Sequence, residues 1–317
     1  HSGPLSRFVN AGTLIKRSGG DQRLEGNYRF ENLGTVQVDG GRLDIRVSNA
    51  DGGADTGRYV SNATLAFGAG QRILAAGSDI TGNGAVEFSG ARVMVNGGYG
   101  IAGTGNTRIS AGRADFASAL TFANTLTVRG GVLNFNGNTV LNRLEMGWSG
   151  GDLATYSVLG GTGTLTFTGS GSTITDGTLA SGVVSGYDSG VGPLYVQAPD
   201  SRRSITVASG ASLTLGGSEY ADLSGIALNN QGTLSLVGNI HIHLDNTLDN
   251  GGTLQIGTSG TPLNQIADVA WNAPGSLAIR NTGTLEKVRD GSAYLVASLV
   301  NEGSGKVDVR AGTLQLA

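Results

Sequence analysis

The chain has 317 residues with 55 glycines, 5 prolines, no cysteine and a formal net charge of −3. Without thiols there is neither a disulfide framework nor a thiolate metal site, and a pI near 5.6 with no basic stripe leaves no electrostatic footprint for nucleic acid. Abundant glycine without a three-residue period rules out collagen.

No apolar run approaches the roughly 18 residues that cross a bilayer, so no membrane insertion by this segment is expected. The start also lacks a basic stretch followed by an apolar core. Charged residues make up 14% of the chain, well under the usual share of about 25%. Ser, Thr, Asn and Gly must therefore cover much of the surface. The 38% of hydrophobic residues are distributed as strand faces, which argues for folding over disorder.

His1-Ser2-Gly3-Pro4 reads as a tag remnant and is set apart from the fold. Residues 5–317 are expected to form a single body. The first unit is Asn10-Ala11-Gly12-Thr13-Leu14, and its fullest statement follows at 30–45. There Thr35-Val36-Gln37-Val38 and Arg42-Leu43-Asp44-Ile45 alternate apolar with polar around Asp39-Gly40-Gly41. Alternation at period two gives each run one buried and one wet face, and the glycines turn the chain between them.

Asp51-Gly52-Gly53-Ala54-Asp55-Thr56-Gly57 suggests a calcium loop, but it does not repeat and lacks the nonapeptide of calcium-binding β-rolls. A plain turn is the better reading. Short alternating runs follow a small residue and Gly at 89–95, 130–135, 163–167 and 209–215. The Thr row Thr162, Thr164, Thr166, Thr168 could suggest an ice-binding face, but a single row is simply a good strand.

The Asn unit returns at Asn230, Asn250 and Asn281, with a degraded copy at Asn301-Glu302-Gly303-Ser304. Steps between copies are 22 (10 to 32), 20 (230 to 250), 31 (250 to 281) and 20 (281 to 301). A period near 20 with an insertion fits one coil of a solenoid. Hairpin signals of the Asn-Gly type are sparse, and near-identical wording stacks best on itself. This predicts an all-β right-handed parallel β-helix, a β-solenoid with about 20 residues per coil. About 15 such coils, at about 4.8 Å each, give a rod on the order of 70 Å. The repeated Asn is scaffold, hydrogen-bonding its counterpart one coil away.

Two stretches break the rhythm, 186–203 and 261–275, each carrying two prolines. Proline removes a ladder donor, so both are expected to protrude as loops, where a solenoid usually places function. The first gathers Tyr187, Asp188, Tyr195, Asp200, Arg202 and Arg203, and the second holds Trp271. Carboxylates with arginines and tyrosines able to stack on sugar rings suggest a glycan or partner contact at Tyr187, Asp188, Tyr195, Arg202, Arg203 and Trp271.

His241 and His243 flank Ile242 in Asn239-Ile240-His241-Ile242-His243-Leu244-Asp245. With Ile240, Ile242 and Leu244 inward, both imidazoles point out about 7 Å apart beside Asp245. That row makes a poor metal cage, and neither metal nor cofactor is expected. No phosphate-binding glycine loop and no set of nucleophile, base and oxyanion donors stands out.

Residues 30–45, 130–135 and 301–316 together resemble the degenerate repeats of large secreted bacterial surface proteins of the filamentous-haemagglutinin and autotransporter-passenger type. The resemblance implies a parallel β-helix projecting from the cell, used for adhesion or as a stalk, without catalysis. It also implies secretion or display at the cell surface, and a host or bacterial glycan or protein as partner. A carbohydrate-binding or carbohydrate-active β-helix, resembling a lyase or glycoside hydrolase, is the alternative. The familiar secretion domain and C-terminal barrel are missing. The chain also closes mid-motif at Thr313-Leu314-Gln315-Leu316-Ala317, so a monomeric excerpt of a longer protein, able to stack end to end, is expected.

Overall fold

A computed structural model describes residues 5–49, 52–147, 156–175, 177–188, 192–198, 201–216, 220–257, 263–268 and 276–316; for 187, 188, 192, 220, 243 and 263–268 the backbone alone is described. The described residues are all β, stacked as a parallel β-solenoid of about 13 turns with roughly 21 residues per turn. At about 4.8 Å per turn the rise is on the order of 60 Å, shorter than the sequence estimate.

One coil illustrates the rest. Tyr220–Ser224, Ile226–Asn230 and Thr233–Leu236 lie on three faces, here called A, B and C. The next coil repeats them as Asn239–His243, Asn246–Asn250 and Thr253–Ile256. Register pairs Ala221 with Ile240, Leu228 with Leu248, and Leu234 with Leu254. Alternation sends these apolar side chains into the lumen, where Leu213, Leu234, Leu254 and Leu285 form a fully buried column. Each such burial contributes about 1.5–3 kcal/mol. Toward the first coils the filler turns aromatic, with Phe67 5.5 Å from Phe88, Phe88 5.9 Å from Phe116, and Phe116 5.6 Å from Phe135 between ring centroids.

The corners explain the repeated wording. Asn230 Nδ2 donates to Asn250 Oδ1 (2.7 Å), Asn250 to Asn281 (2.7 Å) and Asn281 to Asn301 (2.6 Å). Asn10 and Asn32 do the same at 2.8 Å. The Gly two residues after Asn32, Asn230, Asn250 and Asn281 is steric. A Cβ on Gly34, Gly252 or Gly283 would meet a carbonyl oxygen of the preceding coil at 2.1–2.2 Å, which no side chain tolerates.

The repeat changes phase along the rod. Strand Thr233–Leu236, directly after Asn230, belongs to face C. An unbroken run of pairings through 212–215, 172–174, 144–146, 126–128, 107–109 and 85–88 joins it to Thr64–Phe67 and Arg42–Ile45. Arg42–Ile45, however, is the second strand after Asn32. The Asn corner therefore lies between faces A and B in the first coils and between B and C in the last.

Of the two stretches expected to leave the stack, 186–203 does so, but as secondary structure. Val183–Asp188 and Gly192–Gln197 pair antiparallel as a hairpin, so the ladder skips from Leu165 to Ile205. Within 261–275 the outcome differs. Leu263–Asp268 forms a face A strand paired in parallel with Asn239–His243 and Ser292–Leu295. The two prolines flank this strand and lie, with Trp271, outside the described residues.

Candidate functional site

The hairpin does not stand free. It lies over the outer side of face A, where Val184 is fully buried against Val132, Val158 and Ala180, with Tyr195 packed beside them. This small cluster is separate from the lumen core and covers face A from outside, so Ser157–Gly160 and Gly177–Ala180 are buried on both sides. Asn134 holds the hairpin by its backbone: Nδ2 donates to the Val184 carbonyl (2.9 Å), and Oδ1 accepts from the Val184 N–H (3.0 Å). Asn134 also donates to Asp115 (2.6 Å), whose carboxylate accepts from Arg113 at 2.8 Å.

Beside the hairpin a polar column crosses successive coils on the outer side of face A. Register aligns Thr178 with Asp222 and Asp222 with His241. The Thr178 hydroxyl donates to Asp222 Oδ2 at 3.0 Å, and His241 Nδ1 stands 3.3 Å from Asp222 Oδ1. Asp222 is fully buried, whereas the His241 side chain remains partly open. A buried carboxylate beside Nδ1 fixes the orientation of the ring. The Thr178 hydroxyl is committed to Asp222, however, and the neighbouring Ser224 hydroxyl shares a 2.8 Å hydrogen bond with Tyr195.

The residues singled out in the sequence do not converge. Tyr195 is half-buried, and burial raises its phenol pKa. Its ring is packed into the hairpin's footing, not offered to a sugar. Arg203 is a correction to its placement at a contact surface. It is 3% exposed and donates to the carbonyls of Gly163 (2.7 Å), Gly160 (2.8 Å) and Phe135 (3.3 Å). Burial pushes its guanidinium down to about 9. It occupies the place where the stack resumes after the hairpin and caps carbonyls there.

Arg202 is exposed and turns to the next corner, donating to the Asp245 carbonyl at 3.0 Å. Hydrogen bonds from the Ser276 hydroxyl and N–H hold the Asp245 carboxyl below its ordinary range. Tyr187 and Asp188 lie in the hairpin's first strand, opposite Pro193 and Gly192. Asp200 and Trp271 fall outside the described residues.

The His241 row also departs from expectation. Ile240 and Ile242 are buried as expected. Leu244, however, has left the strand with φ of 57°, so Asp245 lies around the corner from His241. The described part of the acidic glycine-rich stretch, residues 52–57, is a corner, in keeping with the plain turn expected there. Asp55 accepts from Arg72 (2.6 Å), Tyr59 (2.7 Å) and the Asn32 N–H (2.8 Å), all buried. Its oxygens are occupied by the fold. Among the described residues no group of three His, Asp or Glu side chains could hold a metal ion.

Sequence reasoning missed this internal ion pair, although the signal was present. Arg72 shares the parity of Leu74 in Gln71-Arg72-Ile73-Leu74 and so points inward with it. The Thr178–Asp222 contact had no such signal, because it depends on a register of 44 residues that spans the hairpin. No helix among the described residues is long and apolar enough to cross a membrane. Comparison with protein-family models, with curated proteins and with solved structures gives no match.

Proposed function

We propose that the chain is a structural or adhesive segment of an extracellular bacterial surface protein, a stalk or adhesion surface without catalysis. The observation that carries this reading is the use made of its functional-looking residues. Arg203 caps carbonyls, Tyr195 anchors the hairpin, Asn134 holds that hairpin by its backbone, and the repeated Asn residues bond one another. Polar chemistry here serves rigidity. A stiff rod with thirteen turns suits holding a tip away from a surface. Outward Ser, Thr and Asn supply repeated weak hydrogen bonding to glycan or protein.

The competing reading is a carbohydrate site beside the hairpin, favoured by the partly open His241 against buried Asp222. Incubation with acidic and neutral polysaccharides separates the two. Coated microspheres are expected to adhere to glycan- or cell-covered surfaces with no reducing ends or unsaturated products released. Turnover abolished by His241→Ala or Arg202→Ala would replace the adhesive reading with the enzymatic one.

A further inference from the structure

Face C is laddered at every step from Asp21–Leu24 to Lys306–Val309. Face B is not. One series of parallel pairings runs from Thr13–Lys16 through 35–38, 58–61 and 79–82 to Gly98–Ile101. A second runs from Leu120–Val128 on to Ser298–Asn301. No ladder joins Gly98–Ile101 to the face B residues one coil later, 120–122.

The other two faces stay paired at this level, 86–88 with 107–109 and then 126–128 on face C, and 92–95 with 113–116 and then 132–135 on face A. Ala85–Val95 and Thr107–Phe116 each pass through the corner between C and A as a single strand. In a three-faced coil that corner lies opposite face B, so the intact backbone stands across the lumen from the gap.

Little crosses the gap itself. Gly98 and Gly100 bring no side chains to its outer rim, and a Cβ on Gly100 would meet open space. Among the described residues the one side-chain hydrogen bond across it is Asn124 Nδ2 to Ile101 O, at 3.4 Å. Where face A lacks a regular ladder, ahead of Gln71–Leu74, side chains close the step instead. Asn49 and Ile73 exchange two bonds of 2.8 Å, and Arg72 donates to the Phe30 carbonyl at 2.9 Å. Behind the gap in face B the contact is aromatic, with the Tyr99 ring centroid 5.1 Å from that of Phe116 and 5.6 Å from that of Phe122. Apolar contact is non-directional, so it holds two coils together without fixing the angle between them.

We propose that this step is a joint: the rod opens on face B between residues 98–101 and 120–122 and pivots about the opposite corner, so that the coils on either side tilt against each other. A stacked array yields at its weakest neighbour interface, and here one face in three contributes no ladder. Such a joint lets the rod bend under load without unfolding a coil. The inference rests on the ladder and holds for either reading of the function.

Spin labels on paired cysteines read the motion in the full chain. Thr81→Cys with Thr121→Cys straddles the gap two coils apart. Val140→Cys with Thr206→Cys spans two laddered steps of the same face, and Glu87→Cys with Thr127→Cys spans the level of the gap on face C. Two intact coil rises amount to about 10 Å. The distance distribution across the gap is expected to be about twice as broad as either control, and Asn124→Ala to widen it further. Hydrogen exchange reads the unaltered chain. Gly98 and Ala102 N–H donate to the preceding coil, so by alternation Tyr99 and Ile101 N–H face the gap. They are expected to exchange about tenfold faster than Ile80 N–H, the register counterpart of Tyr99 one coil earlier, which faces a laddered step. A distribution across the gap no broader than the controls, or protection of Tyr99 and Ile101 equal to that of Ile80, would overturn the proposal.

Discussion

Truncating one rung of the Asn column perturbs the stack with little change of shape. Asn250 is 1% exposed. It accepts from Asn230 at 2.7 Å and donates to Asn281 Oδ1 at 2.7 Å and to Thr284 O at 3.1 Å. Asn250→Ala removes three hydrogen bonds, two of them buried, each with a net contribution of about 1 kcal/mol, and takes a partner from the Asn281 and Thr284 acceptors and from one Asn230 amide hydrogen, so a loss of about 3–5 kcal/mol is expected. Asn301, which is exposed on the last coil and accepts from Asn281 at 2.6 Å, should lose under about 1 kcal/mol on the same change. The bond between Asn250 and Asn281 is lost in Asn250→Ala and again in Asn281→Ala, so the double variant Asn250→Ala with Asn281→Ala should fall short of the sum of these two by about 1–2 kcal/mol. Because repeat arrays melt coil by coil, the readout is hydrogen exchange of the strands at 246–256 and 277–287 alongside urea unfolding. A loss at Asn250 no larger than at Asn301, or strict additivity with Asn281, would refute the ladder account.

Three further outcomes follow from particular contacts. Gly252→Ala drives a Cβ to 2.2 Å from Gly232 O and is expected to cost about 1–3 kcal/mol; Gly19→Ala, with open space around it, should change urea stability by less than about 0.5 kcal/mol. Arg72→Ala strands the buried Asp55 carboxylate and is expected to cost about 3–5 kcal/mol in the same assay, more than Gly252→Ala. Burial raises the phenol pKa of Tyr59 and Tyr99 above its ordinary value near 10. Both stay protonated in the folded state while the unfolded chain ionises, so their contribution is full below pH 10 and is lost above it. Loss of circular dichroism should coincide with a tyrosinate signal at alkaline pH, and Tyr99→Phe should move the midpoint upward. An unchanged midpoint would contradict the assignment.

The architecture was legible because it is local. Period-two alternation, the recurring Asn-x-Gly-Thr and the step near 20 each report on a single coil, and the inward Leu column follows from in-phase repetition. What depends on long register was not legible. The hairpin at Val183–Gln197 breaks the step and folds back on an earlier part of face A, joining Asn134 to Val184 across 50 residues. Arg203 shares the inward parity of Ile205 and Val207, but the carbonyls it caps lie on earlier coils, one of them 68 residues away. The phase change of the Asn corner is hidden for a related reason: Asn32 and Asn230 share the Asn-x-Gly-Thr wording but stand on different corners. Inserted residues between them move the repeat around the rod without altering its wording.

The parallel in-register stack is tested most directly by cross-linking, which a chain without cysteine permits cleanly. Ser235, Gln255 and Glu286 are register partners on successive coils of face C. Neighbouring positions then lie about 4.8 Å apart and alternate ones about 10 Å apart, against a disulfide reach of about 4.4–6.8 Å between Cα atoms. Ser235→Cys with Gln255→Cys, and Gln255→Cys with Glu286→Cys, are expected to oxidise to intramolecular disulfides, while Ser235→Cys with Glu286→Cys is not. Failure of the two neighbouring pairs, or closure of the distant one, would contradict the solenoid.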